Sequence, residues 1–249
     1  MSQVSRNQPL GTPTWIALAV PDPQGAEAFY GAVFGWEFAT TAGGTDCLLR
    51  GLPVAGLRHI TAQADAGHGW TIHLATDDCD GTAKRVAAAG GTLLDAPHEV
   101  GDLGRAAFAV DPTGARVGLW QGRAHPGCRL VNEPDTLVRN DLVTAEANSA
   151  RAFYTAVFDF TLDGNEDLPG FDFTFLRRPD GHEIGGILGL ADTPVSAWAT
   201  TFEVADTDAT VARVRVAGGT AAAPEETPYG RSATITDPFG TEFSVIARP

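Results

Sequence analysis

The sequence predicts an α+β fold made of two tandem copies of one unit, and three observations carry that prediction. A set of landmarks occurs twice in the same order. Each copy opens with a segment whose apolar residues fall on one helical face. Short runs of strand character, separated by turn residues, fill the rest.

The repeat is read from blocks of identical residues. Ala28-Phe29-Tyr30 followed by Ala32-Val33-Phe34 returns as Ala152-Phe153-Tyr154 followed by Ala156-Val157-Phe158, an offset of 124. Trp70, Asp78-x-Asp80 and Gly90-Gly91 return as Trp198, Asp206-x-Asp208 and Gly218-Gly219 at an offset of 128, and Asp111-Pro112-x-Gly114 returns as Asp237-Pro238-x-Gly240 at 126. Drifting offsets between matching blocks are what loop insertions and deletions produce.

Each element has a local reason. Ala26, Phe29, Tyr30, Val33 and Phe34 share one face of a first helix, as do Ala150, Phe153, Tyr154, Val157 and Phe158 in the second copy. Asp22 before Pro23 suits an N-cap with proline in the first turn. The second helix of each copy is expected to begin near Asp80 or Asp208 and to end at the Gly-Gly pair, which supplies a left-handed cap. Strands are expected at 15–20, 46–50, 54–58, 70–76, 106–110 and 115–120, and in copy two at 139–144, 171–177, 183–189, 198–204, 232–236 and 241–246. Gln121 to Asp135 shows little periodicity, so the domains are placed at 10–121 and 136–249 with a linker at 122–135. Trp36, Phe34, Phe158 and Phe160 follow a helix and are expected to fill core.

Composition narrows the function. A chain of 249 residues that is 43% hydrophobic and 19% charged is in the globular range. The formal charge of −14, from 31 acidic against 17 basic residues, repels phosphate backbones and anionic membranes, so no nucleic-acid or membrane partner is expected. Met1 to Pro9 lacks the shape of a secretory signal and no stretch is long and apolar enough to span a bilayer, which makes the cytoplasm the expected location. Cys47, Cys79 and Cys128 have no paired spacing, and neither a disulfide framework nor a thiolate metal site is expected. His59, His68, His98, His125 and His182 lie near loops without clustered ligand spacing.

Together the landmarks, including Val33-Phe34-Gly35-Trp36, resemble the vicinal-oxygen-chelate superfamily of glyoxalases, bleomycin-resistance proteins and extradiol dioxygenases. The resemblance covers nearly the whole chain and is to the two-domain actinobacterial type. It implies two glyoxalase-like domains, each a pair of βαβββ units whose curved sheet forms a cup with helices outside. The two domains are expected to associate as an internal pseudo-dimer, and the whole chain can form a homodimer. Metal-dependent relatives carry His or Glu at three positions per copy, which here hold Trp15, Thr71 and Gly118, then Arg139, Ala199 and Ser244. None suits a divalent cation, so no metal and no cofactor is expected. A fourth position falls in strand 54–58 or 183–189, and Glu183 is one occupant for it.

Side-chain alternation then separates the cup face from the helix face. Ile16, Leu18 and Val20 should face a helix, leaving Trp15, Ala17 and Ala19 in the cup; Thr71, His73 and Trp120 are cupward by the same parity. Copy two offers Arg139, Asp141, Thr201, Glu203 and Ser244. Trp15 and Trp120 give flat surfaces for stacking an aromatic ligand, or else they fill the cup. His73, Asp141 and Glu203 are the acid–base candidates, with Thr71, Arg139, Thr201 and Ser244 as further binding residues. The competing structural roles are a buried hydrogen-bonded His73, an Arg139–Asp141 ion pair and a rim Glu203. The expected function is metal-independent binding of a small, partly aromatic metabolite, as antibiotic sequestration or an accessory role in secondary metabolism. A cofactor-free cyclase, isomerase or hydroxylase and a structural protein with filled cups are the alternatives.

Overall fold

A computed structural model describes residues 3–41, 43–60, 69–164 and 170–249. The first half runs β1 (Pro13–Val20), α1 (Pro23–Phe34), β2 (Glu37–Thr41), β3 (Gly44–Leu49), β4 (Leu52–His59), β5 (Thr71–Ala75), α2 (Cys79–Ala88), β6 (Thr92–Leu93), β7 (His98–Val100), β8 (Gly104–Val110) and β9 (Arg116–Gly122). The second half repeats the order with β10 (Leu137–Thr144), α3 (Ala147–Phe158), β11 (Thr161–Gly164), β12 (Phe173–Arg177), β13 (Glu183–Gly189), β14 (Ala197–Glu203), α4 (Thr207–Val216), β15 (Thr220–Ala221), β16 (Glu225–Thr227), β17 (Gly230–Thr236) and β18 (Glu242–Ala247).

Each half forms its own curled mixed sheet. The order is β2-β3-β4-β1-β5-β9-β8-β6 in the first, with β7 on β8, and the second follows the same path from β11 to β15 with β16 on β17. β1 runs parallel to β4 and antiparallel to β5, and β5 runs parallel to β9, so the two βαβββ units of a half meet at the β1–β5 pair. Along β1 burial alternates strictly: Ile16, Leu18 and Val20 are covered by helix, while Trp15, Ala17 and Ala19 look into the concave face.

The short strands β2, β6, β7, β11, β15 and β16 are additions to the expected set. They are edge or rim strands with mostly exposed side chains, and they offer no hydrophobic alternation to read. The second helices start beside Asp80 and Asp208, as expected, at Cys79 and Thr207. Asp78 and Asp206, the first acids of the Asp-x-Asp pairs, are the N-caps, accepting from Gly81 N and Ala209 N. Asp80 and Asp208 in the first turn instead pair with Arg105 and Arg231. Gly90 and Gly218 close these helices at φ values of 90° and 92°, which suit glycine.

The convex faces are covered by helices that pack across the halves, α1 on α4 and α2 on α3. Two apolar cores result, each mixed in origin. One joins Ile16, Phe29, Phe34 and Trp36 to Phe202, Val214, Phe243 and Val245; the other joins Ile72, Leu74 and Val86 to Phe153, Val157 and Phe158. Residues 122–135 are tied down between the sheets: Cys128 and Leu130 are buried, and Cys128 N donates to Thr14 O at 2.7 Å. All three cysteines are free and buried. Among the described residues no helix is long and apolar enough to cross a membrane.

Candidate functional site in the first-half cup

The cross-strand register puts Trp15 on β1 opposite His73 on β5, His73 opposite Gly118 on β9, and Gly118 opposite Phe108 on β8. One step along, Thr71 pairs with Ala17, Ala17 with Gly56, and Gly56 with Asp46. These rows floor a cavity of about 230 Å³ that also meets Arg58, Trp120 and His125. The cup closes because β4 and β8 curl toward each other: the Arg58 guanidinium stands 5.6 Å from the centroid of the Phe108 ring.

Glycines make the aromatic lining possible. A Cβ added at Gly56 would sit 2.7 Å from Trp15 Cζ2, one at Gly104 would sit 2.8 Å from Trp120 Cζ2, and one at Gly118 would sit 2.3 Å from His73 Cδ2. Each ring therefore lies flat against bare backbone. His125 is wedged between the two indoles, edge-on at 4.6 Å from Trp15 and 5.9 Å from Trp120, and its carbonyl accepts the Trp120 Nε1–H at 2.9 Å.

The polar groups are few and distinct. His73 is 4% exposed, and burial lowers its pKa to about 4, so it is a neutral imidazole at pH 7. The Gly127 amide donates to His125 Nδ1 at 3.3 Å, which leaves the proton on Nε2, 3.5 Å from Asp46 Oδ2. That separation is too long for a hydrogen bond, and His125 Nε2 is a buried nitrogen with no other partner. Asp46, His125, Arg58 and Phe108 were not picked out from the sequence. His125 falls in the aperiodic connecting stretch, and only the packing of that stretch beneath Trp15 brings it into the cup.

The second-half candidates meet elsewhere. Arg139, Thr201 and Ser244 form the row equivalent to Trp15, His73 and Gly118. Arg139 bonds Asp141 at 2.7 Å and Glu183 at 2.9 Å, and Phe173 and Phe175 stand 5.8 and 5.7 Å from its guanidinium. Burial alone would lower the Arg139 pKa, but those carboxylates outweigh it and the net shift is upward. Glu203 pairs with Arg248. His73 thus stands apart from Asp141 and Glu203, and the three acid–base candidates do not share one site. His68 lies outside the described residues. A wider hollow of about 670 Å³ between the halves is lined by Arg139 and Arg178, whose charges are already paired, so it gathers less unused chemistry than the first cup.

The three positions per half where the resemblance places metal ligands carry an indole, a hydroxyl and no side chain, then a guanidinium, a methyl and a hydroxyl. That donor set does not fit a divalent cation. Among the described residues no three His, Cys, Asp or Glu come together as a metal-holding group.

Comparison with known proteins agrees with this architecture. CFP32 of Mycobacterium tuberculosis, whose name assigns it provisionally to the glyoxylases, is 37% identical over 248 residues, covering 95% of this chain and 94% of its own. The anthracycline biosynthesis protein DnrV of Streptomyces peucetius is 34% identical over 256 residues, covering 95% and 93%. The Mn(II)-bound glyoxalase of Novosphingobium aromaticivorans superimposes with a TM-score of 0.70 at 19% identity, over 99% of this chain and 83% of that one, and shows the shared fold. The model of the Glyoxalase/Bleomycin resistance protein/Dioxygenase superfamily matches residues 12–119 and again 136–245, and the chain belongs to that superfamily, once in each half.

Proposed function

We propose that the first-half cup binds a small, partly aromatic organic molecule without a metal ion, and that the protein serves secondary metabolism as a sequestering or accessory protein. The observation that carries this reading is the pair of indoles, Trp15 and Trp120, seated on glycines around a cavity whose ligand positions have lost their donors. Its roughly 230 Å³ is below the roughly 300–1,000 Å³ of pockets that enclose drug-sized ligands, so it suits a small molecule or one end of a larger one. The relatives named for anthracycline biosynthesis support the metabolic setting. A charge of −14 disfavours nucleic-acid and anionic-membrane partners, which supports a small-molecule one.

A cofactor-free enzyme working in the same cup is the second reading. The Asp46 carboxylate favours it, because it places a proton acceptor in the wall of the same cup. Titration of the purified chain with hydroxynaphthoquinones, followed by tryptophan fluorescence before and after chelation, tests both. Stoichiometric binding that survives chelation, with the probe recovered unchanged, supports the binding reading; a new product by mass spectrometry supports the enzyme. One tightly held transition metal per half, with binding lost on its removal, overturns metal independence.

A further inference from the structure

The first cup shows two opposite charges that do not neutralise each other. Arg58 has no carboxylate within ion-pair distance among the described residues, although most arginines of this acidic chain are paired. It leans across the cup toward Phe108. Asp46, on the adjacent strand, is 15% exposed; among the described residues it has no arginine or lysine within ion-pair distance, and His125 Nε2 stands 3.5 Å away. Asp46 pairs with Gly56, and Arg58 lies two residues further along the same face of β4, so their backbones are offset by about 7 Å along the strand. Trp15 covers Gly56 between them.

A flat molecule resting on Trp15 therefore has a cation at one edge and a hydrogen-bond acceptor at the other. Taking the aromatic-binding reading as its basis, we infer that the ligand is a hydroxylated aromatic anion, with its carboxylate or ionised enol on Arg58 and a hydroxyl donated to Asp46. A planar guanidinium matches a carboxylate in a two-point contact, and the hydrogen bond to the less exposed Asp46 gains strength where the cup excludes water. A wholly apolar ligand would cover Asp46 without meeting its charge, which is costly.

The test uses the full chain and three probes: 6-hydroxy-2-naphthoate, 2-naphthoate and 2-naphthol. Wild-type protein should bind the hydroxy acid about tenfold or more tightly than either probe lacking one group, the scale of one charged hydrogen bond. Arg58→Gln should erase the advantage of the hydroxy acid over 2-naphthol. Asp46→Asn should erase the advantage over 2-naphthoate. Arg58 is exposed, so its variant retains the fold, and thermal unfolding of both variants verifies that. If all three probes bind wild type within twofold of each other, or if neither variant changes the ranking, the inference falls while aromatic binding stands. If none of the three binds, aromatic binding falls and takes the inference with it.

Discussion

The phenol of Tyr30 donates a 2.9 Å hydrogen bond to Asp237 in the opposite half. Both groups are buried, and burial followed by the Asp237 charge pushes the phenol well above its ordinary pKa. The other carboxylate oxygen holds the Asp-Pro-x-Gly turn, accepting from Phe239 N and Thr241 N. Tyr30→Phe strands one buried carboxylate oxygen, and the expected loss is about 1–3 kcal/mol of unfolding free energy. Denaturant melts should show it in a single transition. A second transition left untouched by the substitution would mean that the halves unfold independently.

The same relationship explains why the repeat was legible. Phe29 packs where a Cβ on Gly219 would be 2.9 Å away, and Phe153 does the same at Gly91, at 2.8 Å. Ala-Phe-Tyr, Gly-Gly and Asp-Pro-x-Gly recur because each copy's helix docks on the other copy's turn and glycine pair. Helix faces and central strands could be read because apolar periodicity encodes burial on one side. The rim strands could not, since exposed side chains leave no period. In the site, parity located Trp15, Thr71, His73 and Trp120, all on one sheet. Asp46, Arg58 and His125 emerge only when the sheet curls and residues 122–135 fold under it, and no local pattern encodes that.

Separating the halves should therefore expose apolar surface. Residues 1–121 alone would leave Phe29 and Phe34 without Phe202, Val214 and Phe243. The fragment is expected to self-associate or aggregate when analysed by sedimentation. A soluble, cooperatively folded monomer would contradict this.

His73 makes stability depend on pH with a definite sign. Its pKa falls from 6.5 in the unfolded chain to about 4 when folded, so between those values the unfolded state binds more protons. Stability should fall as pH drops through that window, by up to about 3 kcal/mol from this group. His73→Gln removes the term, and its unfolding free energy should lose less between pH 7 and 4. Parallel curves for the two proteins would refute the assignment.

The glycine seats predict that small additions do damage. Gly118→Ala drives a methyl to 2.3 Å from His73 Cδ2, and Gly56→Ala drives one to 2.7 Å from Trp15 Cζ2. Each should cost about 1–3 kcal/mol through overpacking. Gly56→Ala should also weaken ligand binding, because the indole it displaces is the proposed stacking surface. Stability at or above wild type in both variants would show that the rings have room to move.

The strongest contrast is between the two cups. Arg139 occupies in the second half the place of Trp15 in the first, but Asp141 and Glu183 already satisfy it. Breaking that network should affect folding more than recognition. Trp15 lines the cavity and rests on Gly56 and against His125, with no ion pair to satisfy, so Trp15→Ala should weaken aromatic-ligand binding by about 1–3 kcal/mol, or roughly 5- to 150-fold. Trp120→Ala should act in the same direction, and Trp120→Phe, which keeps most of the packing, should lose less. Arg139→Ala should leave affinity within about twofold of wild type, well under 1 kcal/mol. Calorimetric titration of the four variants separates these expectations. Unchanged affinity in both alanine variants of tryptophan, with a large loss in Arg139→Ala, would move the principal site to the second half.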